Sequence, residues 1–176
     1  MVAVMQGGGE PTQAEFHEAI TNRADRWFAA CLKITRNRAM AEDAVQEALL
    51  SAWAKRSQFQ HDARLDTWIH RIAVNAALQL LRKNRPASFE PLDFEIPDDA
   101  DSQEDVHHAG ELERDLGKAL THLSDIERIC FVLKHIEQWR LREIAEELEI
   151  NVGAVKQALF RGVGKLRKRM TTLQGV

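Results

Sequence analysis

The sequence predicts an all-α fold of two small helical domains joined by a flexible acidic linker, the second domain containing a helix-turn-helix. Three observations predict it. Apolar residues recur at helical spacing through most of the chain, and few strand-like alternations occur. An acidic, proline-bearing stretch without periodicity interrupts the helical segments near the middle. The stretch Trp139 to Met170, WRLREIAEELEINVGAVKQALFRGVGKLRKRM, reads as two helices meeting at a tight corner, the second basic at its far end.

Length and composition set the bounds. A chain of 176 residues holds one large domain or two small ones. A hydrophobic content of 44% is ordinary for a globular protein with a buried core. No apolar run approaches the roughly 20 residues that a membrane span needs, so no membrane insertion is expected. The start, MVAVMQGGGEPTQAEF, lacks the basic and apolar stretches of a secretory signal. Residues 1–11 read as a disordered leader, and the cytoplasm is the expected compartment. Cys31 and Cys130 lie far apart, each inside an apolar helical pattern, and read as buried thiols.

The first domain is expected over residues 12–85. Its first helix starts near Thr12 and presents Phe16, Ile20, Ala24, Trp27, Phe28 and Cys31 inward. A turn follows at Thr35 to Arg38. The second helix, about Met40 to Lys55, turns Ala41, Val45, Ala48, Leu49 and Ala52 inward. Ser57 to Arg64 breaks the pattern and reads as a loop, with Asp62 a candidate cap. The third helix, about Leu65 to Lys83, carries Trp68, Ile69, Ile72, Ala73, Ala76 and Leu80 and stops before Pro86.

Residues 86–110 read as the linker. Pro86 to Asp115 holds eleven acidic residues and one basic residue. The rest of the chain then carries 23 basic against 16 acidic residues, a net of +7 hidden inside a total of −3. A basic body with an acidic insert fits nucleic-acid binding; a solvated linker between two unrelated domains has the same composition.

The second domain is expected over residues 111–172. Ser124 and Glu127 form a capping box that opens a helix through Ile136, with Ile126, Cys130, Phe131 and Leu133 apolar. In the helix-turn-helix, Leu141, Ile144, Ala145 and Leu148 form the buried face of the first helix, and Ile150 plugs the corner. Asn151 is suited to cap the second helix, since its side-chain oxygen can accept from a free amide of the next turn. Val155, Leu159 and Leu166 continue the apolar stripe. Arg142, Lys156, Gln157 and Arg161 fall off it and can face a ligand. A helical hairpin with solvated charges shows the same periodicity.

Two further faces stand out. Asp43, Gln46, Glu47 and Leu50 line one outward stripe of the second helix, acidic with an apolar edge, suited to a basic helical partner or simply solvated. On the third helix Arg71, Asn75 and Gln79 repeat every four residues and Arg82 continues the row, suited to phosphate and base contacts. The loop before it offers Phe59, Gln60, His61 and Arg64, which can hold an unstacked base. Phe59 tucked into the core beside a solvated basic face is the competing arrangement.

Taken together these residues resemble the extracytoplasmic-function type of bacterial sigma factor, in the sigma-70 family. AEDAVQEALLSAW (Ala41 to Trp53) is similar to the family's AEDxxQExFxxxW helix. HDARLDTWIHRIAVNAALQLLRKNR (His61 to Arg85) is similar to its FxTWLYRIARNxxxDxLR segment. LSDIERICFVLKHIEQWRLREIAEEL (Leu123 to Leu148) resembles LPxxxRxxFxLxxxEGxSxxEIAExL, and INVGAVKQALFRGVGKLRKRM (Ile150 to Met170) resembles ISVGTVKSRLxRARxxLR. Four matches in order, split by a linker, cover most of Gln13 to Met170.

The resemblance implies two tethered helical domains that bind core RNA polymerase and read two promoter elements. Asp43, Gln46, Glu47 and Leu50 would dock on the clamp helices of the largest subunit. Phe59, Gln60, His61, Arg64, Arg71, Asn75, Gln79 and Arg82 would engage the −10 element and its melted strand. Arg142, Asn151, Lys156, Gln157, Phe160 and Arg161 would serve the −35 element. The face around Ile126, Phe131 and Leu133 would grip the flap tip, and the linker would thread toward the RNA exit path. An anti-sigma factor is the implied inhibitor; no cofactor or metal is implied.

Several positions depart from the pattern. His61 and Leu65 stand where Gly and Phe are common, and Gln79 replaces a late acidic residue. Ala154, Gln157, Ala158, Phe160 and Val163 stand where Thr, Ser, Arg, a variable polar residue and Arg are common. Two missing arginines should weaken phosphate contacts. Phe160 on an outward face can meet a thymine methyl group or an inhibitor. An ordinary helix-turn-helix regulator would not need the acidic stripe, and a sigma-mimicking protein would usually carry a receiver domain that this chain has no room for. His107 and His108 lie in the linker without a ligand cluster, and no phosphate loop or nucleophile triad points to an enzyme.

Overall fold

A computed structural model describes residues 9–84 and 111–174. The described residues form seven α-helices and no strand. They fall into two compact units, divided at Ala87 and Ser88. The linker expected at 86–110, Pro86 and the first eight residues of the expected leader lie outside the described residues.

In the first unit α1 (Gln13–Thr35), α2 (Arg38–Ala54) and α3 (Leu65–Lys83) pack pairwise against one another. Local chemistry sets each boundary. Thr12 caps α1: its hydroxyl accepts from Glu15 N at 3.2 Å, and Glu15 reaches back to Thr12 N at 2.6 Å. Arg36 in the left-handed region (φ 52°) closes α1, and Asn37 Oδ1 accepts from Met40 N at 3.0 Å to open α2.

The core forms around buried Trp27, Cys31, Ile34, Ile69, Val74 and Leu78. Burying side chains the size of Leu or Ile contributes about 1.5–3 kcal/mol each. The inward face of α2 is Ala41, Ala44, Ala48 and Ala52, while Val45 and Leu49 are half-buried. A seam of small residues lets α2 approach α1 and α3 closely, so Ala44 lies in the seam and the bulkier pair lies on its flanks. Helix α3 buries Val74, Ala77, Leu78 and Leu81 beyond the expected stripe, and Trp68, Ile72 and Leu80 are only half-buried. It packs on two neighbours, so its buried arc is wider than one amphipathic face.

Asp62 does not cap α3. It is exposed, and the N-cap position is Arg64, which makes no side-chain cap bond. The acidic role falls to Asp66, whose Oδ1 accepts from Thr67 N at 3.0 Å. Ahead of α1, Pro11 is buried and Glu10 pairs with Arg56 at 3.3 Å.

The second unit comprises α4 (Glu111–Leu120), α5 (Asp125–Phe131), α6 (Leu141–Leu148) and α7 (Val152–Gln174). The Ser124–Glu127 capping box forms as expected. Asp125 and Arg128, both buried, pair at 2.7 Å within α5. Regular helix stops at Phe131, and Val132–Ile136 widens into a π turn, with Glu137 N donating to Val132 O. Gln138 then takes φ 62°, where the family pattern has glycine, and Trp139 is buried with its N–H on Leu133 O at 2.8 Å.

The corner between α6 and α7 is Glu149 (φ 56°), Ile150 and Asn151. Asn151 Oδ1 accepts from Ala154 N at 2.7 Å, the expected cap. Ile144, Ala145 and Leu148 are buried, with Leu141 and Ile150 half-buried. On α7 the buried row is Val155, Ala158, Gly162 and Leu166, with Leu159 on its edge. A Cβ on Gly162 would meet Glu127 at 3.6 Å, so α7 runs close over α5 at this point.

Candidate nucleic-acid interface

On α2, Asp43, Gln46, Glu47 and Leu50 are all exposed, on the side away from the alanine seam. Leu50 is 74% exposed and gives the stripe its apolar edge. Trp53 continues this stripe and escaped the sequence reading. Its ring packs edge-on against Phe16 (centroids 5.1 Å) and carries the Arg56 guanidinium at 4.1 Å, so it is held rigidly while 40% exposed. Only its place one turn beyond Leu50 hinted at this.

The loop between α2 and α3 divides its residues. Gln60, His61 and Arg64 are exposed. Phe59 is turned inward, 9% exposed, with its ring against Trp68 (5.3 Å) and His61 (4.5 Å). The competing arrangement therefore describes Phe59: it supports the loop from beneath, and burial of an aromatic ring outweighs leaving it in water. His61 sits at φ 58°, a left-handed conformation that glycine adopts without strain, and its Nε2 lies 2.9 Å from Gly9 O. Between this loop and α1 lies a groove of about 580 Å³ that includes Pro11, Glu15, Arg23, His61, Arg64 and Asp66.

The row on α3 is not presented evenly. Gln79 is exposed, whereas Arg71, Asn75 and Arg82 are half-buried. Asn75 Oδ1 is shielded from solvent and accepts no hydrogen bond among the described residues. The wide buried arc of α3 leaves a narrow open face, and period-four spacing alone overstates it.

In the second unit Arg142, Lys156, Gln157, Phe160 and Arg161 are exposed, and Phe160 is 82% exposed. Asn151 is exposed too, but its Oδ1 is engaged by the cap. Ala158 is 1% exposed and lies in the buried row of the helix. Of the apolar face on α5, Ile126 and Phe131 are half-buried, but Leu133 is fully buried. Leu133 lies one turn beyond buried Ile129 and Cys130 and joins them in the core. Lys165, unremarked in the sequence, reaches Glu127 with 2.8 and 3.0 Å contacts.

No group of acidic, histidine and cysteine side chains suited to a metal occurs among the described residues. Among these residues, no helix is long and apolar enough to cross a membrane. Burial pushes the Cys130 thiol up to about 12, leaving it protonated and inert near neutrality.

Two helical units, the second a helix-turn-helix with an exposed cationic second helix, define the class of a DNA-binding protein assembled from separate modules. The comparisons narrow this. Residues 20–87 match the family Sigma-70 region 2, and residues 113–166 match Sigma-70, region 4. The chain is 32% identical over 171 residues to the ECF RNA polymerase sigma factor SigW of Bacillus subtilis, covering 92% of this chain and 91% of SigW. It therefore belongs to the ECF RNA polymerase sigma factors of the sigma-70 family. Two solved structures share the fold. The sigma factor RpoE in complex with the anti-sigma factor NepR from Bartonella quintana matches with TM-score 0.55 and 21% identity, over 89% of this chain and 97% of that one. CnrH in complex with the cytosolic domain of CnrY matches with TM-score 0.52 and 22% identity, over 92% and 90%.

Proposed function

We propose that this chain directs core RNA polymerase to a set of promoters, acting by binding alone and catalysing no reaction of its own. The single observation that supports this most is the acidic and apolar stripe Asp43, Gln46, Glu47 and Leu50, exposed on a rigid helix in a chain that also carries a helix-turn-helix. A simple operator-binding regulator has no use for that stripe. Polymerase docking through it, at the clamp helices of the largest subunit, is the reading it favours.

The remaining surfaces divide the promoter between them. The loop residues His61 and Arg64 border the groove against α1, which has room for a base that has left the stack, and Gln60 is exposed beside them. Unstacking a base costs a few kcal/mol, and an enclosing groove offsets that cost. Phe59 supports the loop and lines the groove from beneath. Arg71, Asn75, Gln79 and Arg82 extend the −10 contact along α3, with Gln79 the most accessible. Arg142, Lys156, Gln157, Phe160 and Arg161 read the −35 duplex, and Asn151 sets the start of the reading helix. Ile126 and Phe131 remain as the flap-tip contact. Two modules on a tether bind weakly alone and tightly together, through effective concentration.

Control by an anti-sigma partner in the cytoplasm completes the reading, by analogy with a relative solved in such a complex. The test is assembly followed by footprinting. The purified chain should co-elute with core polymerase on gel filtration, and the complex should protect two promoter blocks. Elution apart from core polymerase would overturn the proposal.

A further inference from the structure

A second, smaller cleft adjoins the −10 groove in the first unit. It encloses about 210 Å³, bordered by Arg23 and Arg26 of α1, Arg64 of the loop, and Asp66, Thr67 and His70 of α3. Arg23, Arg64 and Asp66 border both cavities, so the two share a wall.

That wall is held by one carboxylate. Asp66, with a side chain 13% exposed, takes Arg23 Nε on Oδ2 at 3.0 Å and Arg64 Nε on Oδ1 at 3.2 Å. Two guanidiniums from different elements are thereby fixed side by side. A guanidinium engaged along its Nε edge still has donors for a second acceptor. Arg26 is exposed and makes no ion pair or hydrogen bond among the described residues. Three arginines against one carboxylate leave the cleft cationic, whatever the charge on His70.

We propose that this cleft binds a backbone phosphate of the melted promoter strand, next to the base taken by the larger groove. The inference rests on the promoter-binding reading above and adds a contact on α1. A nucleotide pairs a flat, nearly neutral base with an anionic phosphate. The two adjoining cavities repeat that pairing, one large and mixed in charge, one small and cationic. Arg26 supplies the phosphate contact. Asp66 is a positioning residue that orients Arg23 and Arg64 without touching DNA.

The test uses holoenzyme assembled from core polymerase and the full chain, and fork-junction DNA from a promoter that the holoenzyme transcribes. Affinity is measured against salt concentration. Arg26→Ala should weaken binding roughly three- to tenfold and reduce the slope of log affinity on log salt by about 0.7–0.9, the signature of one lost phosphate contact. Arg26→Lys should retain the slope. Neutral methylphosphonate linkages, placed one at a time along the melted strand, should reveal one position that weakens the wild type and has no further effect on Arg26→Ala. An unchanged slope, or methylphosphonate effects that all add to that of Arg26→Ala, would overturn the proposal alone. A wild-type holoenzyme that fails to retain the fork would overturn the promoter-binding reading and this inference with it.

Discussion

Lys165 of α7 donates to both carboxylate oxygens of Glu127 on α5, at 3.0 and 2.8 Å. Glu127 is 4% exposed, and its Oε2 also accepts from Ser124 N at 3.2 Å. One carboxylate thus caps α5 and ties down the helix assigned to the −35 element. A double-mutant cycle between Glu127→Gln and Lys165→Met should give a coupling of about 1 kcal/mol, discounted because the lysine is half-exposed. Hydrogen exchange of the α5 and α7 amides is the appropriate readout, since the two units need not unfold together. Strictly additive effects would contradict the pairing.

Gln138 pays for a backbone conformation that a side chain resists. At φ 62° a residue with a Cβ is less stable than glycine by about 1 kcal/mol, and the family pattern has glycine here. Gln138→Gly should therefore raise the melting temperature of the second unit, despite losing the 3.2 Å bond from Nε2 to His135 O. A lower melting temperature would show that the side-chain bond matters more than the strain.

Cys130 gives a pH signature. Its thiol is raised from 9.0 to about 12 by burial, so the folded state holds the proton more tightly than the unfolded chain does. Its contribution to stability is complete below pH 9 and is lost as pH rises toward 12. Thiol-reactive dyes at pH 8 should label Cys130 only as fast as the unit opens. Immediate labelling of the native chain would contradict this.

On the recognition helix, Lys156→Ala and Arg161→Ala should each weaken binding to a −35 duplex and lower the salt slope by about 0.9. Phe160→Ala should leave the slope unchanged and relax preference at a thymine, since an apolar ring contacts a methyl group and no phosphate. Replacing that thymine by deoxyuridine should weaken the wild type and leave Phe160→Ala unaffected. Equal effects on both proteins would remove Phe160 from base reading.

What the sequence made legible was local. The Ser124–Glu127 box and the Asn151 cap depend on residues three apart, so spacing alone reveals them. The exposed stripe of α2 follows from helical period. What escaped depends on distant packing or on irregular backbone. Asp66 meets Arg23 across two helices, a relation that no local pattern encodes. The π turn over Val132–Ile136 falls inside a stretch whose spacing reads as regular helix. Phe59 packs inward on Trp68, one of two arrangements that its place in the loop leaves open.

The docking stripe carries the central claim, and run-off transcription tests it most directly. Core polymerase on fragmented host DNA should give discrete transcripts only when this chain is added. Glu47→Lys, a charge reversal at an exposed position that leaves the fold intact, should abolish them. Undiminished transcripts from that variant would contradict the account.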